Sequence, residues 1–257
     1  MANRHGRPCW YELGTNDLDA AAVFYNNVLG WEMVDSGMEE MQYRLAQSGE
    51  DMVAGMMALD HQVGNPPPNW LIYFAVDSAE AASAAVTERG GEIIVPPADI
   101  PGTGRFAVLL DPQGAAFGVL QPQPAEGDGP QGGAFNQDKL GHGNWQELMT
   151  PAPIDAVAFY ADLFGWGKGE AMDMGEMGTY QLFSHDGTDI GGIMAQGDSP
   201  VPCWLPYFGV DSIDASMATI ATAGGTVIHG PMEVPGGAFV AIAQDPQGAV
   251  FAIVGGQ

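Results

Sequence analysis

The chain repeats itself, and any fold it adopts must be built twice. Trp10-Tyr-Glu-Leu-Gly-Thr15 returns as Trp145-Gln-Glu-Leu-Met-Thr150, Phe24-Tyr25 as Phe159-Tyr160, and Leu29-Gly30-Trp31 as Phe164-Gly165-Trp166, all at an offset of 135. Tyr43 matches Tyr180, Val53-Ala-Gly-Met-Met57 matches Ile190-Gly-Gly-Ile-Met194, and Trp70-Leu-Ile-Tyr-Phe-Ala-Val-Asp77 matches Trp204-Leu-Pro-Tyr-Phe-Gly-Val-Asp211. Asp111-Pro-Gln-Gly-Ala-Ala-Phe117 closes the series on Asp245-Pro-Gln-Gly-Ala-Val-Phe251, and the offset drifts only between 134 and 137. Ordered identity at a fixed period marks a duplication.

The two copies bound two homologous domains, 1–122 and 139–257, with a Pro/Gly-rich linker over 123–138. Inside each copy the pattern doubles again. In the first, a strand over Cys9–Leu13 leads to a helix with Ala21, Phe24, Tyr25 and Val28 on its apolar stripe, stopped by Gly30. Strands follow around Met41–Ala46 and Met52–Leu59. A second strand–helix pair spans Trp70–Val76 and Ala79–Arg89, and strands around Glu92–Val95, Arg105–Leu110 and Ala115–Leu120 finish the half. Asp111-Pro-Gln-Gly114 reads as a tight turn. Each half is therefore βαβββ twice over, four modules in all.

Ala-x-x-Phe-Tyr-x-x-x-Leu-Gly-Trp after the first strand and Asp-Pro-x-Gly-x-x-Phe before the last resemble the glyoxalase/bleomycin-resistance/extradiol-dioxygenase superfamily, the vicinal oxygen chelate proteins. The resemblance covers both halves. It implies an α+β fold of tandem paired βαβββ modules whose curled mixed sheets form cups that hold a small ligand. In metal-dependent members it also implies four ligands per two-module unit, typically His or Gln, Glu, His and Glu. The corresponding positions are Trp10, Gly55, Leu71 and Gly118 in the first half and Trp145, Gly192, Leu205 and Ala252 in the second. None of these residue types supplies a metal donor, so no metal and no cofactor is expected there. The five histidines, His5, His61, His142, His185 and His229, fall at no repeat-equivalent positions and read as surface or turn residues.

Strand alternation puts Trp10 and Glu12 on one face, and Trp145 and Glu147 on one face. A carboxylate beside an indole in a cup is a candidate base with a raised pKa, or an anchor for a ligand amine or hydroxyl. Its structural alternative is a Glu that bonds backbone or a Tyr hydroxyl. Tyr73 and Tyr207 share a face with Leu71 and Leu205, and Tyr43 and Tyr180 are further aromatic candidates for a ligand wall. Arg105 is a candidate anion contact or else one end of a salt bridge. The methionine clusters, Met33, Met38, Met41, Met56 and Met57 in one half and Met172, Met174, Met177 and Met194 in the other, read as core filler.

Charge narrows the partners. Seven basic residues against 32 acidic give a net charge of −25, which repels nucleic acid and anionic lipid. No apolar run is long enough to span a bilayer and the first residues lack a signal-peptide core, so a cytoplasmic protein is expected. Cys9 and Cys203 read as small buried hydrophobes. Three functions fit: a protein binding a small organic molecule in a cup without the usual metal ligands, in the manner of bleomycin-resistance proteins; a glyoxalase-like lyase or isomerase using Glu12 or Glu147 as base; and a non-catalytic structural or interaction protein. Either a monomer with modules paired within the chain or a homodimer is compatible with the repeat.

Overall fold

The computed structural model describes residues 4–37, 42–61, 66–123, 133–197 and 199–257. Met38, Met41 and most of the expected linker lie outside the described residues. The first half contains β1 (Pro8–Thr15), α1 (Leu18–Leu29), β2 (Glu32–Asp35), β3 (Tyr43–Ser48) and β4 (Asp51–Ala58), then β5 (Asn69–Ala75), α2 (Ala79–Glu88), β6 (Glu92–Ile100), β7 (Gly104–Leu110) and β8 (Ala116–Pro122). The second half repeats this as β9 (Gly143–Thr150), α3 (Pro153–Phe164), β10 (Gly167–Asp173), β11 (Thr179–His185) and β12 (Thr188–Ala195), then β13 (Cys203–Ser212), α4 (Ile213–Thr222), β14 (Thr226–Glu233), β15 (Phe239–Gln244) and β16 (Val250–Gly256). The order βαβββ therefore occurs four times, in the α+β class.

The strands form two eight-stranded mixed sheets, β2-β3-β4-β1-β5-β8-β7-β6 and β10-β11-β12-β9-β13-β16-β15-β14. In each module the last strand returns beside the first and parallel to it, as in β1 with β4 and β13 with β16, while the other neighbours run antiparallel. Local chemistry fixes the helix ends. The Asp17 side chain caps α1 by accepting from the Ala20 N–H at 3.0 Å, and Gly30 ends it in the left-handed region at φ 70°. Ser78 and Ser212 cap α2 and α4 in the same way, and Pro153 opens α3.

Two compact units arise, and they do not follow the halves. One comprises 1–9, 72–129 and 146–204; the other comprises 10–71, 130–145 and 205–257. The second unit has a buried aromatic core of Tyr25, Trp31, Trp70 and Phe208, with Tyr25 stacked on Trp31 at 5.6 Å and Phe208 edge-on to Trp31 at 5.1 Å. A hydrogen-bond chain runs through it. The Trp70 Nε1–H donates to the Tyr25 hydroxyl at 3.0 Å, and that hydroxyl donates to Asp245 Oδ2 at 3.0 Å. The first unit repeats the arrangement from Trp204 to Tyr160 to Asp111, each step again 3.0 Å, with Trp166 stacked on Tyr160. Both aspartates open an Asp-Pro-Gln-Gly turn, and their Oδ1 atoms accept backbone N–H groups inside it: Gln113 and Ala115 on Asp111, Gln247, Gly248 and Ala249 on Asp245. The turn expected from Pro and Gly is thus also, inside each unit, the anchor between the last module of one half and the first helix of the other.

The described end of the expected linker is packed: Ala134 and Phe135 are buried, and the Gly143 N–H donates to the Ala134 carbonyl at 2.9 Å. Met56 and Met57 are core, as expected, but Met174 and Met177 are exposed, because Met174 precedes and Met177 ends a short 3-10 turn between β10 and β11 that lies on the surface.

Candidate functional site

In the second unit, β1 turns Tyr11 and Leu13 into the core and carries Trp10 and Glu12 on its other face. Beside it β4 runs parallel with Glu12 in register with Gly55, and β3 lies antiparallel beyond. Tyr43, the first residue of β3, lays its ring back over Gly55. A Cβ on Gly55 would meet the Tyr43 hydroxyl at 1.8 Å, so only glycine admits this approach. The ring brings its hydroxyl between two partners. The Trp10 Nε1–H donates to it at 3.1 Å, and it donates to Glu12 Oε2 at 3.1 Å. Burial, and next the charge of Glu12, push the Tyr43 pKa well up, so the phenol keeps its proton.

The first unit holds a counterpart. On β9, Glu147 is buried and registers with Gly192, and the Tyr180 ring covers Gly192 with its hydroxyl 2.4 Å from where a Cβ would stand. Cys203 faces this carboxylate closely enough to feel its charge, and burial is the larger cause that raises the thiol's pKa. The Cys9 thiol is pushed up to about 12 by burial, and it donates to the Tyr73 carbonyl. Both cysteines stay thiols at neutral pH and offer no nucleophile.

The remaining candidates divide. Tyr73 is buried, registers with Gly118 and covers it as Tyr43 covers Gly55, its ring 2.2 Å from a would-be Cβ. Tyr207 is buried and registers with Ala252, and Trp145 is half-buried on β9. Arg105 takes the salt-bridge alternative: it pairs with Glu80 and with Asp99, the latter at 2.7 Å, and reaches the Pro97 carbonyl at 3.3 Å. His142, expected at the surface or in a turn, is buried in a bend, with Nε2 3.1 Å from Asp51 Oδ2 and Nδ1 2.8 Å from the Leu140 carbonyl. His185 is also largely buried, against the His5 carbonyl at 2.9 Å. Hydrogen bonding to groups distant in sequence draws both imidazoles in, and no local pattern signals that.

Two open clefts of about 490 and 390 Å³ lie in the second unit, the larger bordered by Tyr43 and Arg44, the smaller by Asp51, Lys139 and His142. Neither takes in Trp10 or Glu12. Arg44 points away from the Trp10–Glu12 face, towards Asp19 and the Leu18 carbonyl.

With its four βαβββ modules and the Asp-Pro-Gln-Gly anchors, the chain belongs to the Glyoxalase/Bleomycin resistance protein/Dioxygenase superfamily, which matches residues 8–119 and 142–253, one match in each half. Among its relatives is a protein of Mycobacterium tuberculosis provisionally named a glyoxylase, CFP32, 34% identical over 98% of this chain and 95% of that one. The anthracycline biosynthesis protein DnrV of Streptomyces peucetius is 32% identical over 97% and 93%. Solved structures of the same fold include the Mn(II)-bound glyoxalase of Novosphingobium aromaticivorans, TM-score 0.66 at 19% identity over 99% of this chain and 83% of that one. They also include BphC, a halotolerant catechol dioxygenase, TM-score 0.69 at 14% identity over 99% and 88%.

Of the eight positions that the resemblance singles out for metal ligands, Gly55, Gly118 and Gly192 carry tyrosine rings where a side chain would project, and Trp10, Leu71, Trp145, Leu205 and Ala252 have no donor for a cation. Among the described residues no group of three or more His, Cys, Asp or Glu side chains converges to hold a metal. No helix among them is long and apolar enough to cross a membrane.

Proposed function

We propose that the protein binds a small organic molecule on the face that carries Trp10, Tyr43 and Glu12, with a counterpart at Glu147 and Tyr180, and without the metal ligands of its metal-dependent relatives. The observation that carries this reading is the face on which the Trp10 indole and the Tyr43 ring, seated on Gly55, lie beside Glu12; the bond from the Tyr43 hydroxyl to Glu12 also meets the structural alternative for that carboxylate. An aromatic wall and an oriented carboxylate are equipment for an organic ligand. A relative named for anthracycline biosynthesis supports a flat aromatic ligand. A second reading, a lyase or isomerase, is favoured by one feature: Tyr43 aims the Glu12 carboxylate as a general base must be aimed.

The test is titration of the purified protein with an anthracycline and with the methylglyoxal–glutathione adduct, comparing Glu12→Gln with the unaltered chain. The expected result is binding without turnover, weakened at least tenfold, about 1.4 kcal/mol, by Glu12→Gln, with an unchanged melting temperature. Metal-stimulated conversion of the adduct would overturn the binding reading. Metal-free turnover abolished by Glu12→Gln would establish the enzyme instead.

A further inference from the structure

The segment 134–142 that leads into β9 runs along the second unit as a strap, and its stretch Leu140-Gly141-His142 has a repeat counterpart in His5-Gly6-Arg7 of the first unit, at the offset of 135. Each strap is held at its glycine in the same way. The Trp31 Nε1–H donates to the Gly141 carbonyl and the Trp166 Nε1–H to the Gly6 carbonyl, both at 2.7 Å. The Gly141 N–H donates to the Gly209 carbonyl at 2.8 Å, and the Gly6 N–H to that of Ala75 at 2.7 Å. The tie from strap to neighbouring hairpin differs between the units. In the first, His185 at the end of β11 reaches the His5 carbonyl from Nε2 at 2.9 Å, while its Nδ1 stands 3.9 Å from Asp186, beyond a hydrogen bond. One donor serves that arrangement, and a neutral imidazole has one. In the second, the imidazole is on the strap and both nitrogens face acceptors. His142 Nδ1 is 2.8 Å from the Leu140 carbonyl, and Nε2 is 3.1 Å from Asp51 Oδ2 at the tip of the β3–β4 hairpin. Both contacts are hydrogen bonds only when the ring carries two protons. The ring is 3% exposed, which leaves little room for water to replace either partner.

From this difference we infer a pH-sensitive strap: His142 locks the 134–142 segment to the tip of the β3–β4 hairpin as the imidazolium and releases the tip as the imidazole. Among the described residues, the other charged side chains around the cleft beside the ring are Asp51 and Glu50 from the hairpin, which favour a cation between them, and Lys139 from the strap, which opposes one. Tyr11 of β1 lies over the adjoining Gly143, and β13 and the end of α1 meet the strap with the backbone of Gly209 and the Leu29 carbonyl. The closed strap holds a proton that the released one gives up, so closure is favoured at lower pH and lost as pH rises through the range in which histidines titrate. What remains is the half-exposed pair of Lys139 with Asp51, a weak tie in water, and the Ser48 hydroxyl on the Leu140 carbonyl. The glycine ties hold the strap on its other side at either pH. The inference is independent of any ligand, although the hairpin it frees carries Tyr43 and Gly55.

The experiment is amide hydrogen exchange by mass spectrometry on the full chain, from about pH 5.5 to about pH 8.5, corrected for the intrinsic rate at each pH. Exchange of this kind reads local opening. Peptides over the 48–51 tip and the 134–142 strap should lose protection roughly fivefold across this range, the worth of about one hydrogen bond, while the equivalent 185–188 tip should not. His142→Gln cannot donate to both acceptors at once and should show the loosened state throughout. Asp51→Asn supplies the decisive arm. Its amide N–H can donate to a neutral His142 Nε2, so the tip should be better protected in this variant than in the unaltered chain at about pH 8.5, a gain that a damaged fold cannot produce. Protection that does not change with pH at the 48–51 tip, an equal loss at both tips, or an Asp51→Asn variant that loosens with pH as the unaltered chain does would each overturn the inference.

Discussion

Single residues carry the pairing of distant segments. Tyr25 and Tyr160 are fully buried and each satisfies two partners, an indole N–H and an aspartate oxygen, more than two hundred residues away in one case and 49 in the other. Replacing Tyr25 with Phe keeps the ring and its stacking on Trp31 but strands the Trp70 N–H and Asp245 Oδ2 in the core. A buried polar group without its partner costs about 1–3 kcal/mol, so Tyr25→Phe should lower the unfolding free energy by roughly that much for each stranded group, read from denaturant midpoints. Tyr160→Phe should do the same in the other unit, where Trp204 and Asp111 lose their partner. A midpoint unchanged by both substitutions would show that water replaces the hydroxyl in each core.

At the scale of elements, the sequence announced most of what the structure contains. Apolar periodicity with a terminal glycine placed the end of α1 at Gly30 and α2 to within a residue, because caps and stops are local chemistry. The faces of β1 followed from alternation alone. What the sequence could not show is why Gly55 and Gly192 sit opposite Glu12 and Glu147: a glycine in a strand announces a close approach, but only register says that the approaching group is Tyr43 or Tyr180. The Asp51 clasp on the β3–β4 hairpin was equally hidden. Asp51 accepts from Lys139 at 2.6 Å and meets His142 at 3.1 Å, partners nearly ninety residues on, and these contacts, Lys139 first and then His142, hold its carboxyl below the ordinary range. A folded pKa below the unfolded one contributes stability above the unfolded value and loses it as pH falls through the folded value. Asp51→Asn should therefore reduce the melting temperature at pH 7, and the gap to the unaltered chain should close as the medium is acidified below about pH 4. A gap that stays constant down to acid denaturation would mean that the clasp contributes through shape and not through charge. Asp111 and Asp245 act in the opposite sense, since burial raises their carboxyls, so the comparison must be made against the same background at each pH.

On the whole-molecule scale the repeat gave the architecture and hid the partition. Identity at a fixed offset shows that the halves are alike, and the family match falls on each half separately. It cannot show that each compact unit joins a module of one half to a module of the other, because Tyr25 has a repeat-equivalent aspartate in its own half, Asp111, as well as in the other, Asp245. Composition, by contrast, speaks directly at this scale. With 32 acidic residues against seven basic, most carboxylates have no cation to pair with, and Glu80 and Asp99 must share Arg105. The folded chain holds that charge closer together than the unfolded chain does, so repulsion works against folding. Salt screens it over about 10 Å at 0.1 M and about 3 Å at 1 M. The melting temperature at neutral pH should therefore climb with sodium chloride from dilute buffer to about 1 M and then level off, since added screening shortens a range already near contact. Sodium chloride is the salt to use, because sulfate would strengthen apolar burial as well and confound the two effects. A melting temperature that falls over this range would place the net stabilisation in the few ion pairs, the Asp51–Lys139 clasp and the Arg105 bridges among them, which salt weakens while it relieves the repulsion.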